Sequence, residues 1–175
     1  MIRAFGDESY VERDGSGIYV LGLIWIQGED CETARDFVRG ISPNSTARFH
    51  FHDVNSRGRI ALIDHVAKGP WGFRVWALSS SPKMQERTRR VLLTRALQEN
   101  SRELWTLESR GRRADLRDRE LAEAIIGFRS VEGIRLNHLR ASDEPLLWPA
   151  DVVASATARA LSRNQPLPFG GCQGA

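Results

Sequence analysis

Lysine and cysteine are scarce in this sequence. Among its 175 residues, the 25 basic side chains comprise 23 arginines and only two lysines, Lys68 and Lys83. The two cysteines, Cys31 and Cys172, lie far apart and form neither a CxxC pair nor a cluster with metal-ligand spacing. Free thiols are typical of a reducing compartment, so we expect a cytoplasmic protein.

The sequence also lacks features of membrane proteins and of common nucleotide-binding proteins. Residues 1–8 have no apolar core of the kind found in signal peptides. The apolar stretch at residues 18–26 has about half the length of a membrane span, so we expect no membrane partner. No glycine-rich loop ending in Lys-Ser or Lys-Thr is present, which excludes the P-loop fingerprint.

Length and composition indicate one globular domain. A hydrophobic fraction of 41% and a charged fraction of 27% exclude a disordered or collagenous chain. We expect a single domain over residues 1–164 and a tail rich in Pro and Gly over residues 165–175. The sequence is compatible with a monomer or a homodimer.

Hydrophobic periodicity predicts an alternating series of strands and helices. Strands are expected at residues 2–8, 18–26, 71–78, 102–108 and 134–139. Helices are expected at residues 29–40, 57–68, 82–100, 115–127 and 142–161. A further brief extended segment is expected at residues 48–52. This order predicts an α/β fold, in which a mixed sheet opens with an N-terminal β-hairpin and carries helices on its faces.

Acidic residues end or interrupt several of the predicted apolar elements. Asp7 and Glu8 end the first strand, Glu108 ends the fourth, and Asp151 interrupts the apolar residues 148–154. Ligands of open α/β sheets bind at the carboxyl ends of the strands. Carboxylates that converge there repel each other unless a cation lies between them, and hard Mg²⁺ or Mn²⁺ suits all-oxygen ligation. Two such ions about 4 Å apart can clamp an in-line phosphodiester displacement.

Each acid can also be explained by structure alone. Asp7 could belong to a turn at a strand end, and Glu108 could be a solvated loop residue paired with a nearby arginine. Asp151 could cap a helix that starts after Pro149. An unpaired Asp151 among apolar neighbours would be costly, so a purely structural role is weakest for this residue.

Four segments, in this order, resemble the bacterial proteins grouped as domain of unknown function 3800. The segments are Phe5-Gly6-Asp7-Glu8-Ser9, Phe49-His50-Phe51-His52, Thr106-Leu107-Glu108-Ser109-Arg110-Gly111 with Asp115 and Asp118 behind it, and residues 144–151. The resemblance extends over nearly the whole chain. It implies a ribonuclease H-like fold and a metal-dependent nuclease site.

The same resemblance implies roles for individual acids. Asp7 would lie on the central strand, Glu108 on a neighbouring strand, Asp151 on the final helix and Asp53 at the start of a helix; these four are the expected catalytic residues. We expect Mg²⁺ or Mn²⁺ as the cofactor and hydrolysis of RNA or DNA as the reaction. The expected metal ligands, including two secondary candidates, are Asp7, Glu108, Asp151, Glu8 and Asp143.

Two histidines support a competing interpretation. On an extended segment, His50 and His52 would point the same way, as in several zinc hydrolases, with His138 or Asp151 as a third ligand. Packing beside Phe51, or contact with a phosphate, would account for the same two residues. A zinc-dependent hydrolase using His50 and His52 therefore stays an alternative. So does a catalytically inert module that binds nucleic acid or protein on the same fold.

Ten of the arginines lie within residues 87–119. Three of them follow Glu108 closely, where guanidinium groups could hold the phosphates of a nucleic-acid strand. A genome with arginine-favouring codons would produce the same excess, and a net charge of +3 is weak for a nucleic-acid-binding protein. The expected nucleic-acid contacts are Arg110, Arg112, Arg113, His50 and His52.

Overall fold

Strands and helices follow one another in the predicted order. The computed structural model describes residues 1–40, 50–99, 104–129 and 135–169. The strands in these ranges are β1 (Ile2–Arg13), β2 (Ser16–Gln27), β3 (Gly72–Ser80), β4 (Leu104–Glu108) and β5 (Arg135–Leu139). The α-helices are α1 (Cys31–Arg39), α2 (Ser56–Ala67), α3 (Gln85–Glu99), α4 (Arg112–Arg129) and α5 (Leu147–Ser162).

The first two strands form a long hairpin because the chain reverses over only two residues. Asp14 and Gly15 have φ angles of 54° and 79°, the left-handed conformation that tight hairpin turns require. Antiparallel pairing then runs without a break from this turn to the start of the chain. The prediction that the first strand ends at Glu8 is therefore wrong, because residues 9–13 continue to find partners on β2.

All five described strands belong to one mixed sheet, in the order β3-β2-β1-β4-β5. Strand β2 runs antiparallel to both β1 and β3, whereas β4 runs parallel to β1 and β5 runs parallel to β4. Strand β1 therefore lies at the centre. The predicted α/β architecture, a mixed sheet opened by an N-terminal β-hairpin, is confirmed.

Helices cover both faces of the sheet, as predicted. Helices α1, α2 and α5 pack on the face to which Phe5 and Val20 contribute, and α3 and α4 pack on the face to which Ala4 and Leu21 contribute. Consecutive residues of a strand point to opposite faces. Asp7 therefore belongs to the α5 face, together with Phe5, whereas the next residue along β1 belongs to the α3–α4 face.

Helix α5 is the most buried helix of the described structure, and a glycine allows it to approach the sheet closely. A Cβ atom at Gly22 would lie 2.8 Å from the backbone nitrogen of Ala154 and 3.0 Å from its Cα. Gly22 pairs with Asp7 across the hairpin. The tightest contact between helix and sheet therefore lies beside the strand position that carries Asp7.

The segment before α2 is a turn and not the extended segment expected from its alternation. Phe51–Asp53 form a short 3-10 turn, in which the Asp53 N–H donates to the His50 carbonyl at 3.1 Å. The turn lets Phe51, which is 1% exposed, enter the core. His50 and His52 therefore do not share one face of a strand, and that part of the prediction is wrong.

The observed helix starts differ from the predicted ones by one to five residues. Helix α5 begins at Leu147 and not at residue 142, because Glu144 holds the preceding turn: its Oε1 accepts the Leu146 N–H at 3.1 Å. Glu144 is itself held from α1, where Arg35 donates to both carboxylate oxygens at 3.0 and 2.6 Å. Helix α4 begins at Arg112, earlier than the predicted residue 115.

The start of the predicted tail packs against the sheet, since the Phe169 ring is buried and its centroid lies 5.2 Å from that of Phe73.

Some predictions fall outside the described residues: the ends of two strands (residues 102–103 and 134), residues 48–49, Cys172 and the tail beyond Phe169. None of the helices within the described ranges has the length and apolar character needed to cross a membrane.

The close approach of α5 at Gly22 makes a testable prediction. Gly22→Ala places a methyl group against helix backbone that cannot move aside, and overpacking of this kind costs about 1 to 3 kcal/mol of unfolding free energy. Gly127→Ala is the matched control, because a Cβ there meets nothing within 4 Å and alanine favours a helix interior. Urea unfolding should show a loss for the first variant and no loss for the second; equal stabilities would contradict the tight contact.

Candidate active site

Three of the predicted catalytic acids converge on the α5 face of the sheet. Asp7 lies on β1, Glu108 is the last residue of β4, and Asp151 lies in the second turn of α5. The parallel register places Gly6 opposite Leu107, so the two residues that follow them, Asp7 and Glu108, are neighbours. All three carboxylates are buried, with exposures of 7%, 9% and 7%.

Asp7 is the centre of this cluster. The Glu8 N–H donates to Asp7 Oδ1 at 2.7 Å, and the Asp7 carboxyl shares a hydrogen bond with Glu108. Burial, together with the charges of Glu8, Glu108 and Asp151, raises the pKa of Asp7 well above its ordinary value. Asp7 therefore retains a proton more readily than an ordinary carboxyl group.

Asp151 is held by neutral donors. The Phe51 N–H donates to Asp151 Oδ2 at 3.0 Å and the Ser155 hydroxyl donates to Oδ1 at 2.9 Å, while His50 Nδ1 lies 3.8 Å from Oδ2. Because α5 begins four residues earlier, Asp151 is not a helix cap. Within the described ranges, neither Asp7 nor Asp151 forms an ion pair with arginine or lysine.

Two serines, Ser9 and Ser155, complete the polar lining of the cluster. Neither was predicted from the sequence as a site residue. Ser155 Oγ lies 3.3 Å from Ser9 Oγ and 3.4 Å from His52 Nε2. A signal for both existed: Ser9 follows Asp7 by two residues on a strand, and Ser155 follows Asp151 by four on a helix. Each serine therefore shares a face with one of the acids.

Three other predicted acids lie outside the cluster. Glu8 points to the α3–α4 face, where Arg89 binds its carboxylate. Asp53 is exposed at the end of the 3-10 turn, and Asp143 is exposed and accepts a hydrogen bond from Ser142 Oγ at 3.0 Å. Neither Asp53 nor Asp143 is among the charges that raise the pKa of Asp7.

A second charged cluster lies on the opposite face of the sheet, and here the acids are neutralised. Arg89, 1% exposed, pairs with Glu8 and with Asp118, whose Oδ2 lies 2.7 Å from Arg89 Nη2. His138 Nε2 lies 3.2 Å from the same oxygen. Burial alone would raise the pKa of Asp118, but hydrogen bonds from His138 and Arg89 and the charges of Arg89 and Arg110 lower it to about 2.

The three arginines that follow Glu108 have different environments. Arg110 is engaged by carboxylates, with Nε 3.1 Å from Glu8 Oε1 and Nη1 3.1 Å from Glu86 Oε2. Arg112 and Arg113 are exposed at the first residues of α4. Arg110 therefore fixes the loop beside Glu108, while the other two present their guanidinium groups to solvent.

The three carboxylates supply only oxygen donors, which suits Mg²⁺ or Mn²⁺ better than zinc. Among the residues that the structure describes, no three His, Cys, Asp or Glu side chains are grouped as they would be around a bound metal ion. In the observed arrangement the Asp7–Glu108 hydrogen bond and the donors to Asp151 satisfy the oxygens instead. The two histidines proposed as zinc ligands lie at the border of the cluster, His50 beside Asp151 and His52 beside Ser155.

Comparisons with known proteins found similar solved structures and no matching sequence family. No protein-family model and no curated protein sequence matches the chain. Among solved structures, the chain is similar to RNase H1 from the halophilic archaeon Halobacterium salinarum NRC-1, with 9% sequence identity and a TM-score of 0.39. The alignment covers 93% of this chain and 98% of that chain.

Asp7→Asn should stabilise the protein in the absence of divalent metal. Because the pKa of Asp7 is raised on folding, the wild type loses stability as pH rises above the ordinary carboxyl range, until it passes the raised value. Asparagine keeps the hydrogen bonds without the charge, so we expect a gain of about 1 kcal/mol at neutral pH. Urea unfolding with chelator, from about pH 5 to about pH 8, measures both effects. A destabilised variant with an unchanged pH profile would contradict the electrostatic account.

Arg89→Met should destabilise the protein strongly. The substitution removes the buried cation that Glu8 and Asp118 share and leaves them the partly exposed Arg110. Breaking a buried ion pair costs about 3 to 5 kcal/mol of unfolding free energy. Arg90→Met, at the exposed neighbouring position, is the control and should change stability by less than about 0.5 kcal/mol. Equal urea midpoints for the two variants would show that the buried pair has no such role.

Proposed function

We propose that the protein is a metal-dependent nuclease that hydrolyses phosphodiester bonds of RNA or DNA. The observation that carries the proposal is the convergence of three buried carboxylates, Asp7, Glu108 and Asp151, from three separate parts of the chain. Burying like charges together is costly, and no arginine or lysine of the described residues offsets that cost at Asp7 or Asp151. Perturbed acids in such an arrangement are typical of functional sites.

Asp7, Glu108 and Asp151 would hold Mg²⁺ or Mn²⁺, and both preferred metals bind through oxygen. When bound, the metal would supply charge stabilisation for the attacking and leaving oxygens of a phosphodiester. Asp7 would bind the metal in its ionised form, whereas its raised pKa favours the protonated form up to a higher pH than for an ordinary carboxyl group. Metal affinity, and with it activity, should therefore rise with pH through the raised pKa of Asp7.

The chain's other residues would orient the acids and the substrate. The Phe51 N–H and the Ser155 hydroxyl donate to the Asp151 carboxylate and would fix its orientation. The position of this carboxylate is therefore set by the turn before α2 and by α5. His50 and His52 border the cluster on the solvent side and could contact a phosphate. Arg112 and Arg113, exposed beside the end of β4, are the further phosphate contacts of this proposal.

The test compares wild type with Asp7→Asn and Asp64→Asn on labelled single-stranded and duplex RNA and DNA. Asp64 is an exposed acid on α2 paired with Lys68, so its variant controls for the loss of one negative charge. Reactions contain Mg²⁺, Mn²⁺, Zn²⁺ or chelator. We expect cleavage with Mg²⁺ or Mn²⁺, lost with chelator, and reduced by about 100-fold or more in Asp7→Asn only.

Different outcomes of the same comparison select the alternatives. Cleavage that requires Zn²⁺, survives Asp7→Asn and disappears in His50→Ala would replace the proposal with the zinc hydrolase. Binding of nucleic acid without turnover under every metal condition would identify the inert module. A folded Asp7→Asn variant, verified by circular dichroism, is required for either conclusion.

A further inference from the structure

A cavity of about 300 Å³ lies between α2, the C-terminal half of α5 and the segment that follows α5. Its wall has two unlike parts. One part is apolar and includes Ile60, which is 70% exposed, together with Ile63. The second part carries three arginines, Arg59, Arg159 and Arg163, and none of the described residues that line the cavity is acidic.

Arg59 is fixed by the turn that also holds Asp151. Its Nε donates to the Phe51 carbonyl at 3.2 Å and its Nη2 donates to the His52 carbonyl at 2.9 Å. The guanidinium carbon lies 5.6 Å from the centroid of the Phe51 ring. Arg59 is therefore held in place by neutral groups, which leave its positive charge uncompensated.

The remaining two arginines have no acidic partner among the described residues. Arg159 and Arg163 lie one turn apart at the C-terminal end of α5, and neither forms an ion pair there. Partial burial, followed by the charges of Arg163 and Arg59, lowers the pKa of Arg159. Three like charges held around one cavity repel each other, and an anion between them would remove that repulsion.

The cavity and the acid cluster lie along the same side of α5. Asp151, Ser155 and Arg159 follow one another at four-residue intervals, which places them on one face of the helix. Eight residues of helix separate the acid from the arginine by about 12 Å. That separation corresponds to roughly three to four steps of axial rise in a nucleic-acid duplex.

We propose that the cavity bounded by Arg59, Arg159 and Arg163 binds a backbone phosphate of the nucleic-acid strand whose scissile bond lies at the acid cluster. The guanidinium groups hold the phosphate oxygens, and the apolar wall at Ile60 and Ile63 receives the attached sugar. The strand then follows α5 from the cavity to Asp151. The assignment of a nucleic-acid strand rests on the proposed nuclease function; the phosphate chemistry of the cavity does not.

The helix dipole does not explain this cluster. The helix dipole stabilises cations near the C-terminus of a helix, so Arg159 and Arg163 have some structural benefit from their position. Arg59 comes from α2 and gains nothing from the α5 dipole. Its approach adds repulsion, which is unfavourable unless a ligand occupies the cavity.

The experiment measures binding without cleavage. Fluorescence anisotropy with chelator present follows a short fluorescein-labelled single-stranded oligonucleotide on wild type, Arg159→Gln/Arg163→Gln and Arg87→Gln/Arg90→Gln. The last variant is the matched control, because it removes two exposed positive charges from α3 on the opposite face. Since the α5 arginines are not fully buried, both double variants should fold, and circular dichroism verifies it.

We expect the α5 double variant to weaken binding about tenfold and to reduce the slope of log K against log salt by about 0.7 for each phosphate that is no longer neutralised. The α3 double variant should differ from wild type by less than about threefold. Equal losses in the two double variants would overturn the proposal, since only general charge would then matter. If the binding of a free mononucleotide depended on the cavity and the binding of the oligonucleotide did not, the assignment to a strand would be overturned.

Failure of this inference can be told apart from failure of the nuclease proposal. Cleavage that depends on Asp7, combined with unchanged oligonucleotide binding in the α5 double variant, removes the phosphate site and leaves the nuclease. Absence of cleavage under all metals, combined with selective loss of binding in that variant, supports the phosphate site and removes the nuclease.

Discussion

The close contact between α5 and the first hairpin is the constraint on which the candidate site depends. Gly22 has no side chain to separate the sheet from the backbone of Ala154, so the helix lies against the strands at the level of Asp7. The helix is rich in apolar residues and packs on the sheet through burial of hydrophobic surface. That favourable burial brings Asp151 into a position that its charge would disfavour. Hydrophobic burial along the rest of the helix thus offsets the repulsion among the acids.

Two adjacent residues of β1 illustrate how differently the fold treats buried acids. Glu8 faces α3, where Arg89 neutralises it, and Asp118 shares the same cation. Asp7 faces α5, where its described neighbours are two further acids and neutral donors. A chain that can place an arginine on one face of the strand could place one on the opposite face. An uncompensated Asp7 lowers the stability of the fold. Such a loss is expected at a site where a bound cation or substrate neutralises the carboxylate.

Much of this arrangement was predictable, for identifiable reasons. The order of the elements follows from hydrophobic periodicity, and an acid within an apolar helix such as Asp151 is conspicuous in any sequence. Glu8 as a metal ligand beside Asp7 was inconsistent with a strand that continues past them, because alternation sends the two side chains to opposite faces. The turn at Phe51 was hidden, since its alternating pattern is typical of a strand and only the core contact of Phe51 selects the turn. The pairing of Glu8 with Arg89 joins residues 81 positions apart, and no local pattern encodes it.

The many arginines of this chain have different structural roles. Arg89 bridges Glu8 and the buried Asp118, and Arg35 binds both oxygens of the buried Glu144. The point charge of lysine cannot reproduce this forked geometry. Codon preference can explain exposed arginines at scattered positions, but it cannot explain why Arg159 and Arg163 meet a third arginine from another helix where no acid of the described chain lines the cavity. Along α5 the charge changes from negative near its N-terminus to positive near its C-terminus, the direction that the helix dipole favours. A polyanionic strand lying along this helix would have its phosphates drawn to the positive end, and only a cation at the acidic end would let it approach there.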